Sequence, residues 1–226
     1  MKKIILMAAI AVCSISSHAQ VSFGAQIGAN IGMGHASDEN ATLAALSVAN
    51  DPKVGFLIGV LGEVDFGQLG FRPELNYIQK GSKYGFGSGS SKITLNYIQV
   101  PLNVVYNLEL GKSGKLFFGL GPEVAFGISG NSKNSSGKTK VKFDGKETDS
   151  SGGDNYKHLK RTDFGVTVLA GFQLEMGAFA KIGYTLGLTD IDPDKNNSDP
   201  YFRSSYKNRG LSICVGYMLG GKKKKK

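Results

Sequence analysis

Apolar and polar residues alternate one by one along most of this chain. In residues 21–33, Val21, Phe23, Ala25, Ile27, Ala29, Ile31 and Met33 are separated by Ser22, Gly24, Gln26, Gly28, Asn30 and Gly32. The same period of two runs through residues 54–66, 69–80, 93–109, 115–129, 161–176, 178–189 and 208–219. Strict alternation predicts β-strands with one face in an apolar environment. These eight segments exceed the ~5–6 residues of an average strand. They reach the ~9–11 residues that a tilted strand needs to cross a bilayer.

The connections alternate too. Long ones cover about 34–53, 81–92, 130–160 and 190–207; short ones fall at 67–68, 111–114 and 176–177. Outer-membrane barrels have short periplasmic turns and longer external loops, and an even strand count puts both termini on the periplasmic side. The long loop at 130–157 is rich in Ser, Gly, Lys and Asn and reads as an external loop, with Val141 and Phe143 able to extend its hairpin. Residues 42–49 could form a helical turn or two.

The polar face separates a membrane barrel from a soluble one that binds an apolar ligand. It combines glycine with charges of both signs: Glu63, Asp65, Arg72, Glu74, Glu123, Asp163, Glu175 and Lys181. An eight-stranded barrel has an interior just wide enough for side chains to fill. Glycine beside an occasional long charged residue suits that space, while the Phe, Leu, Ile and Val rows suit hydrocarbon. The expected fold is therefore all-β, an eight-stranded antiparallel up-and-down transmembrane β-barrel. Arg72 and Lys181 are expected to face Glu63, Glu74 and Glu123 in an interior ion network. A wide pore is excluded, since open channels need about 16–18 strands. Tyr77, Tyr97, Tyr106, Tyr184, Tyr201, Tyr206 and Tyr217 lie mostly near strand ends, as interfacial girdles would require.

Composition sharpens this picture. The 226 residues include 32 glycines and only 6 prolines, with 41% hydrophobic and 20% charged residues, which excludes a wholly disordered chain. The mean hydropathy of −0.12 argues against a bundle of membrane helices. Residues 1–19 read as a secretory signal peptide: Lys2 and Lys3 precede an apolar stretch, and Ser17 and Ala19 supply small residues for cleavage after Ala19. A lipoprotein signal centred on Cys13 is the rival reading, with Val12 larger than the residue expected before such a cysteine. Residues 20–221 form the barrel domain, and 222–226 form a polybasic tail in the periplasm. The formal charge of +9 falls to +2 without Lys2, Lys3 and that tail, so no nucleic-acid partner is expected. Cys214, in an apolar run, reads as a packed side chain.

Six stretches resemble the outer-membrane β-barrel proteins of Bacteroidetes known as PorT-like or "porin family". They are FRPELNYIQKG (71–81), LNYIQVPL (95–102), FFGLGPEVAF (117–126), RTDFGVTVLAG (161–171), YTLGLTD (184–190) and KNRGLSICVGY (207–217). The resemblance implies a barrel in the outer membrane and no particular reaction.

Candidate chemistry is sparse. His35 lies near Asp38, and His158 near Asp154 and Asp163, without an ordered constellation that would mark an enzyme. Asp190, Asp192, Asp194 and Asn196 are spaced like the start of a calcium loop, but Lys195 and Tyr201 stand where glycine and glutamate are needed, so a solvated turn is the simpler reading. No cofactor, metal or catalytic residue is assigned. The expected role is structural or loop-displaying, in a monomer surrounded by outer-membrane lipid, with an unidentified extracellular or periplasmic protein partner. Narrow passage of small solutes is the first alternative.

Overall fold

The computed structural model describes residues 20–33, 35–37, 50–86, 89–134, 137–146, 156–193 and 205–220. Residues 1–19, 42–49 and the lysines 222–226 lie outside them. Eight strands carry the architecture: β1 (Gln20–Gly32), β2 (Asn50–Asp65), β3 (Leu69–Phe86), β4 (Gly89–Glu109), β5 (Lys115–Asn134), β6 (Thr162–Gln173), β7 (Ala178–Gly187) and β8 (Arg209–Leu219). Each pairs antiparallel with its neighbour in sequence. Pairing of β1 with β8, from Phe23↔Leu219 to Gly32↔Gly210, closes the sheet into a barrel.

Three tight connections, at 66–68, 110–114 and 174–177, share one end with both barrel termini. Gly67 and Gly177 adopt φ of +103° and +99° there, a region open to glycine at no steric cost. The other end is asymmetric. Strands β3, β4 and β5 have 18, 21 and 20 residues, against 12, 10 and 11 for β6, β7 and β8. The segment 81–92, expected as a loop, is instead strand on both sides, paired down to Phe86↔Gly89. β5 likewise continues into a hairpin with residues Gly137–Lys142. Ser, Gly and Lys there look like loop residues because a strand standing in water needs no apolar face, while its backbone still gains the ladder.

Burial alternates along the strands, and the apolar rows point outward. Phe23, Ile27, Ile58, Val104, Leu120, Val168 and Val215 are all exposed, whereas Gln26, Glu63, Arg72, Asn76 and Glu123 are buried. A soluble barrel would show the reverse, so that alternative is set aside. Lipid offers no partner for backbone N–H and C=O groups, and closure satisfies them all within the sheet. Tyr77, Tyr106, Tyr184 and Tyr217 face outward as expected, Tyr77 stacking on Phe56 at 5.3 Å between ring centroids. Tyr97 and Tyr206 do not belong to a girdle. Both are buried, Tyr97 because its position in β4 has the parity of the inward face, Tyr206 because it lies in a separate short strand that packs over the barrel mouth. Tyr201 lies outside the described residues.

Candidate functional site in the barrel interior

From the periplasmic end upward, the lumen is built in layers. Glu63 of β2 accepts from the Arg72 guanidinium of β3, from Lys115 Nζ at 2.7 Å and from Asn107 Nδ2 at 3.1 Å. The Arg72 guanidinium lies over the Phe117 ring, 4.0 Å from its centroid. Phe117 belongs to an apolar layer with Leu61, Val105, Leu169, Phe179 and Met218. This layer corrects the expectation that glycine and occasional long charged residues would occupy the interior. Glycines make the room: a Cβ at Gly171 would run into Phe117, and one at Gly216 into Phe179.

In the middle layer Lys181 Nζ donates to Glu74 Oε1 at 2.5 Å, and Gln26 and Asn76 donate to Glu74 Oε2 at 2.8 and 3.1 Å. Above it, Glu123 accepts from Lys80 Nζ at 3.3 Å, from Gln99 at 2.5 Å, from Thr185 at 3.0 Å and from the Thr167 hydroxyl. Lys80 also lies 3.6 Å from Asp163, which accepts from Asn208 at 2.9 Å. An isolated buried charge is expensive, and each of these ionised groups has an opposite charge and further hydrogen bonds.

All five sequence-derived residues point into the lumen, but in three separate clusters. Glu63 meets Arg72 and Glu74 meets Lys181, while the cation at Glu123 is Lys80, not Arg72 or Lys181. Lys80 sits eight residues up β3 from Arg72, level with Glu123 across the lumen. Lys80 shares its parity with Arg72 and Glu74, which could have revealed it; Lys115 opens a strand where alternation had not yet begun. Asp65 is half-buried beside Lys115, and Glu175 is exposed in the 174–177 turn. Cys214 is buried against the upper apolar group.

The packing leaves a cavity of about 30 Å³ between the middle and upper layers, lined by Asn30, Lys80, Asn103, Lys181, Thr185 and Asn208 among others. A water needs ~10–15 Å³ by this measure, so the space suits about two. Asn103 is fully buried beside it, and both its side-chain polar atoms lack a protein partner.

The outer mouth is capped by residues from the long connections. Val141, Phe143, Leu159, Ile191 and Tyr206 pack with Tyr97, Leu95 and Ile93 in one apolar group. Phe143 meets Tyr97 edge-on at 5.6 Å. Backbone bonds from Leu159 to Lys142, Lys160 to Ile191 and Ile191 to Tyr206 tie the segments to one another. His158 is buried here, its Nδ1 2.7 Å from Asp144 Oδ1. Its carboxylate neighbour is therefore Asp144, not Asp163, whose side chain is occupied inside the lumen; Asp154 lies outside the described residues. His35 lies in a short strand, His35–Ser37, paired with Ser205–Lys207. Asp190 Oδ1 accepts from the backbone of Asp192 and Tyr206, a turn that anchors the cap. Among the described residues no cluster of metal-ligating side chains forms; Asp194 and Asn196 lie outside them.

The His158 hydrogen bond holds the Asp144 carboxyl below its ordinary value of 3.8. A carboxyl depressed on folding contributes stability that is full above its unfolded value and lost as pH falls through the folded one. Below about pH 3.8, the Gly145 and Leu159 amides, which bond across this clip, are expected to exchange hydrogen progressively faster than their intrinsic pH dependence requires. Asp144→Ala should abolish that extra dependence; an unchanged profile in the variant would separate the clip from Asp144.

A closed strand meander with lipid-facing apolar rows, short turns at one end and a charged, filled lumen defines an integral outer-membrane β-barrel. Residues 16–192, well over half of the chain, match the family model described as outer membrane protein beta-barrel domain, and the chain belongs to that family. Its location is the outer membrane. No curated protein matches it. Similar solved structures include Ail, the attachment invasion locus protein of Yersinia pestis, at 11% identity, covering 88% of this chain and 99% of that one with a TM-score of 0.41. Neisserial surface protein A (NspA) is similar at 14% identity, over 88% and 96% of the two chains, with a TM-score of 0.44. The translocator domain of the autotransporter NalP from Neisseria meningitidis is similar at 13% identity over 96% and 95%, with a TM-score of 0.28.

Proposed function

We propose that this barrel is a non-conducting, non-catalytic scaffold of the outer membrane that presents its outer rim to a partner. We place it with the PorT-like "porin family" barrels of Bacteroidetes, on the stretches at 71–81 and 95–102. In this reading residues 1–19 export the chain, which works as a monomer held by lipid. The observation that carries it is the lumen: three paired charge clusters and two apolar layers cross-brace the strands and leave a cavity of about 30 Å³. Beyond the lumen, β3–β5 and the 137–142 hairpin stand clear of the shorter strands as a platform. His158, buried and bonded to Asp144, is a fastening of the cap in this account.

The second reading, a narrow path for small solutes, draws on the same cavity and on Asn103 beside it. A single-channel recording in a planar bilayer separates the two. The refolded barrel is expected to give no steady openings; reproducible discrete conductance would overturn the scaffold reading.

A further inference from the structure

Four lysines stand abreast on the platform. Lys83 of β3 pairs with Lys92 of β4, Lys92 with Lys133 of β5, and Lys133 with Lys138 of the following hairpin. Directly paired residues of adjacent antiparallel strands point to the same side of a sheet. Ile93 and Ser132, next to Lys92 and Lys133, share the parity of the lumen, so this row faces away from the barrel axis. All four are exposed, and no ion pair neutralises any of them among the described residues. Asp51 stands in register opposite Lys83 at one end of the row. At ~4.8 Å per strand the row is ~14 Å long. Like charges directly opposite one another repel, and an anionic occupant would offset that repulsion.

The rows beneath indicate what kind of anion. Thr94, Asn131 and Lys140 lie in register below the lysines, and below them Gln79 donates to Asn96 at 3.1 Å and Asn96 to Ser129 at 2.9 Å. This band offers amides and hydroxyls, which match sugar hydroxyls, and the aromatic at its edge, Tyr156 in register with Lys140, already holds Lys142 Nζ 3.5 Å from its ring centroid, so one face of it is taken from any stacking base. The row's height indicates where the anion comes from. On β3, β4 and β5 the last apolar outward residues are Tyr77, Ile98 and Ile128, five or six residues below the lysines. At ~3.3 Å per residue and a tilt of ~40°, that places the lysines about 13–15 Å above the hydrocarbon. A headgroup layer is only ~5–8 Å deep.

We propose that the Lys83–Lys92–Lys133–Lys138 row, with the polar band beneath it, is a docking surface for an extended acidic glycan outside the cell. The idea rests on the display role proposed above, but its test is independent of conductance. The full-length barrel in zwitterionic detergent is presented with dextran sulfate, with neutral dextran as control. Binding to dextran sulfate is expected, weakening as salt rises, with none to neutral dextran. Replacing all four lysines with glutamine should weaken it at least tenfold, while the variant keeps its heat-dependent gel mobility and melts no lower than the parent. Replacing lysines 222–226 with glutamine should leave it unchanged. Binding that follows the tail, or that survives loss of the row, would overturn the proposal. So would equal, row-dependent binding of duplex DNA, or row-dependent binding to lipid A micelles without binding to the soluble polymer.

Discussion

Replacing Lys181 with methionine is expected to cost the barrel about 3–5 kcal/mol, the range for removing one partner of a buried ion pair. Both side chains are nearly inaccessible, at 5% for Lys181 and 2% for Glu74. Without the ammonium, the Glu74 carboxylate keeps only the amide donors of Gln26 and Asn76. Most of the loss reflects a stranded charge, because the pair's attraction is largely offset by the desolvation of both ions. The double variant Lys181→Met with Glu74→Gln should therefore recover most of the stability, since the new amide oxygen still accepts from Gln26 and Asn76. Urea unfolding followed by far-ultraviolet circular dichroism of the detergent-refolded proteins measures all three. A double variant as unstable as the single one would show that Lys181 acts through packing and not through charge.

The second large effect lies one residue from the lumen. Ile27 and its register partners Ile58 and Val215 form an outward β-branched row near mid-strand, whereas the adjacent Gln26 is 1% exposed inside. Ile27→Arg should destabilise the barrel in bilayers by about 2–4 kcal/mol, the cost of a cationic side chain near the midplane. Val21→Arg, at the periplasmic end of the same strand, should cost only about 0–1 kcal/mol. Reversible urea unfolding in lipid vesicles gives both numbers. Equal costs at the two sites would contradict the depth dependence on which the membrane placement rests.

Much of this architecture could be read from residue order because a closed eight-stranded wall has only two environments and the chain alternates between them. Parity alone assigned Glu63, Arg72, Glu74, Glu123 and Lys181 to one face. What parity cannot supply is height. Parity turns Lys80 inward as well, but its meeting with Glu123 depends on the stagger between strands that face each other across the lumen, which residue order does not display. The extensions of β3 and β4 to Phe86 and from Gly89 were hidden for another reason. Lys83, Ser90, Ser91 and Lys92 carry no apolar periodicity, since neither face of a strand above the membrane meets hydrocarbon. The apolar layer around Phe117 and Phe179 was missed because it depends on Gly171 and Gly216 in neighbouring strands, a complementarity that no single segment displays.

The join between β1 and β8 has a consequence for biogenesis. The final strand, Arg209–Leu219, pairs with β7 on one side and with the first strand on the other. Until it arrives, β1 and β7 each present a row of unanswered peptide groups, which hydrocarbon cannot solvate. A chain without this strand has no stable resting place in the bilayer. Stable insertion must wait for Arg209–Leu219, because only that strand answers both open edges at once.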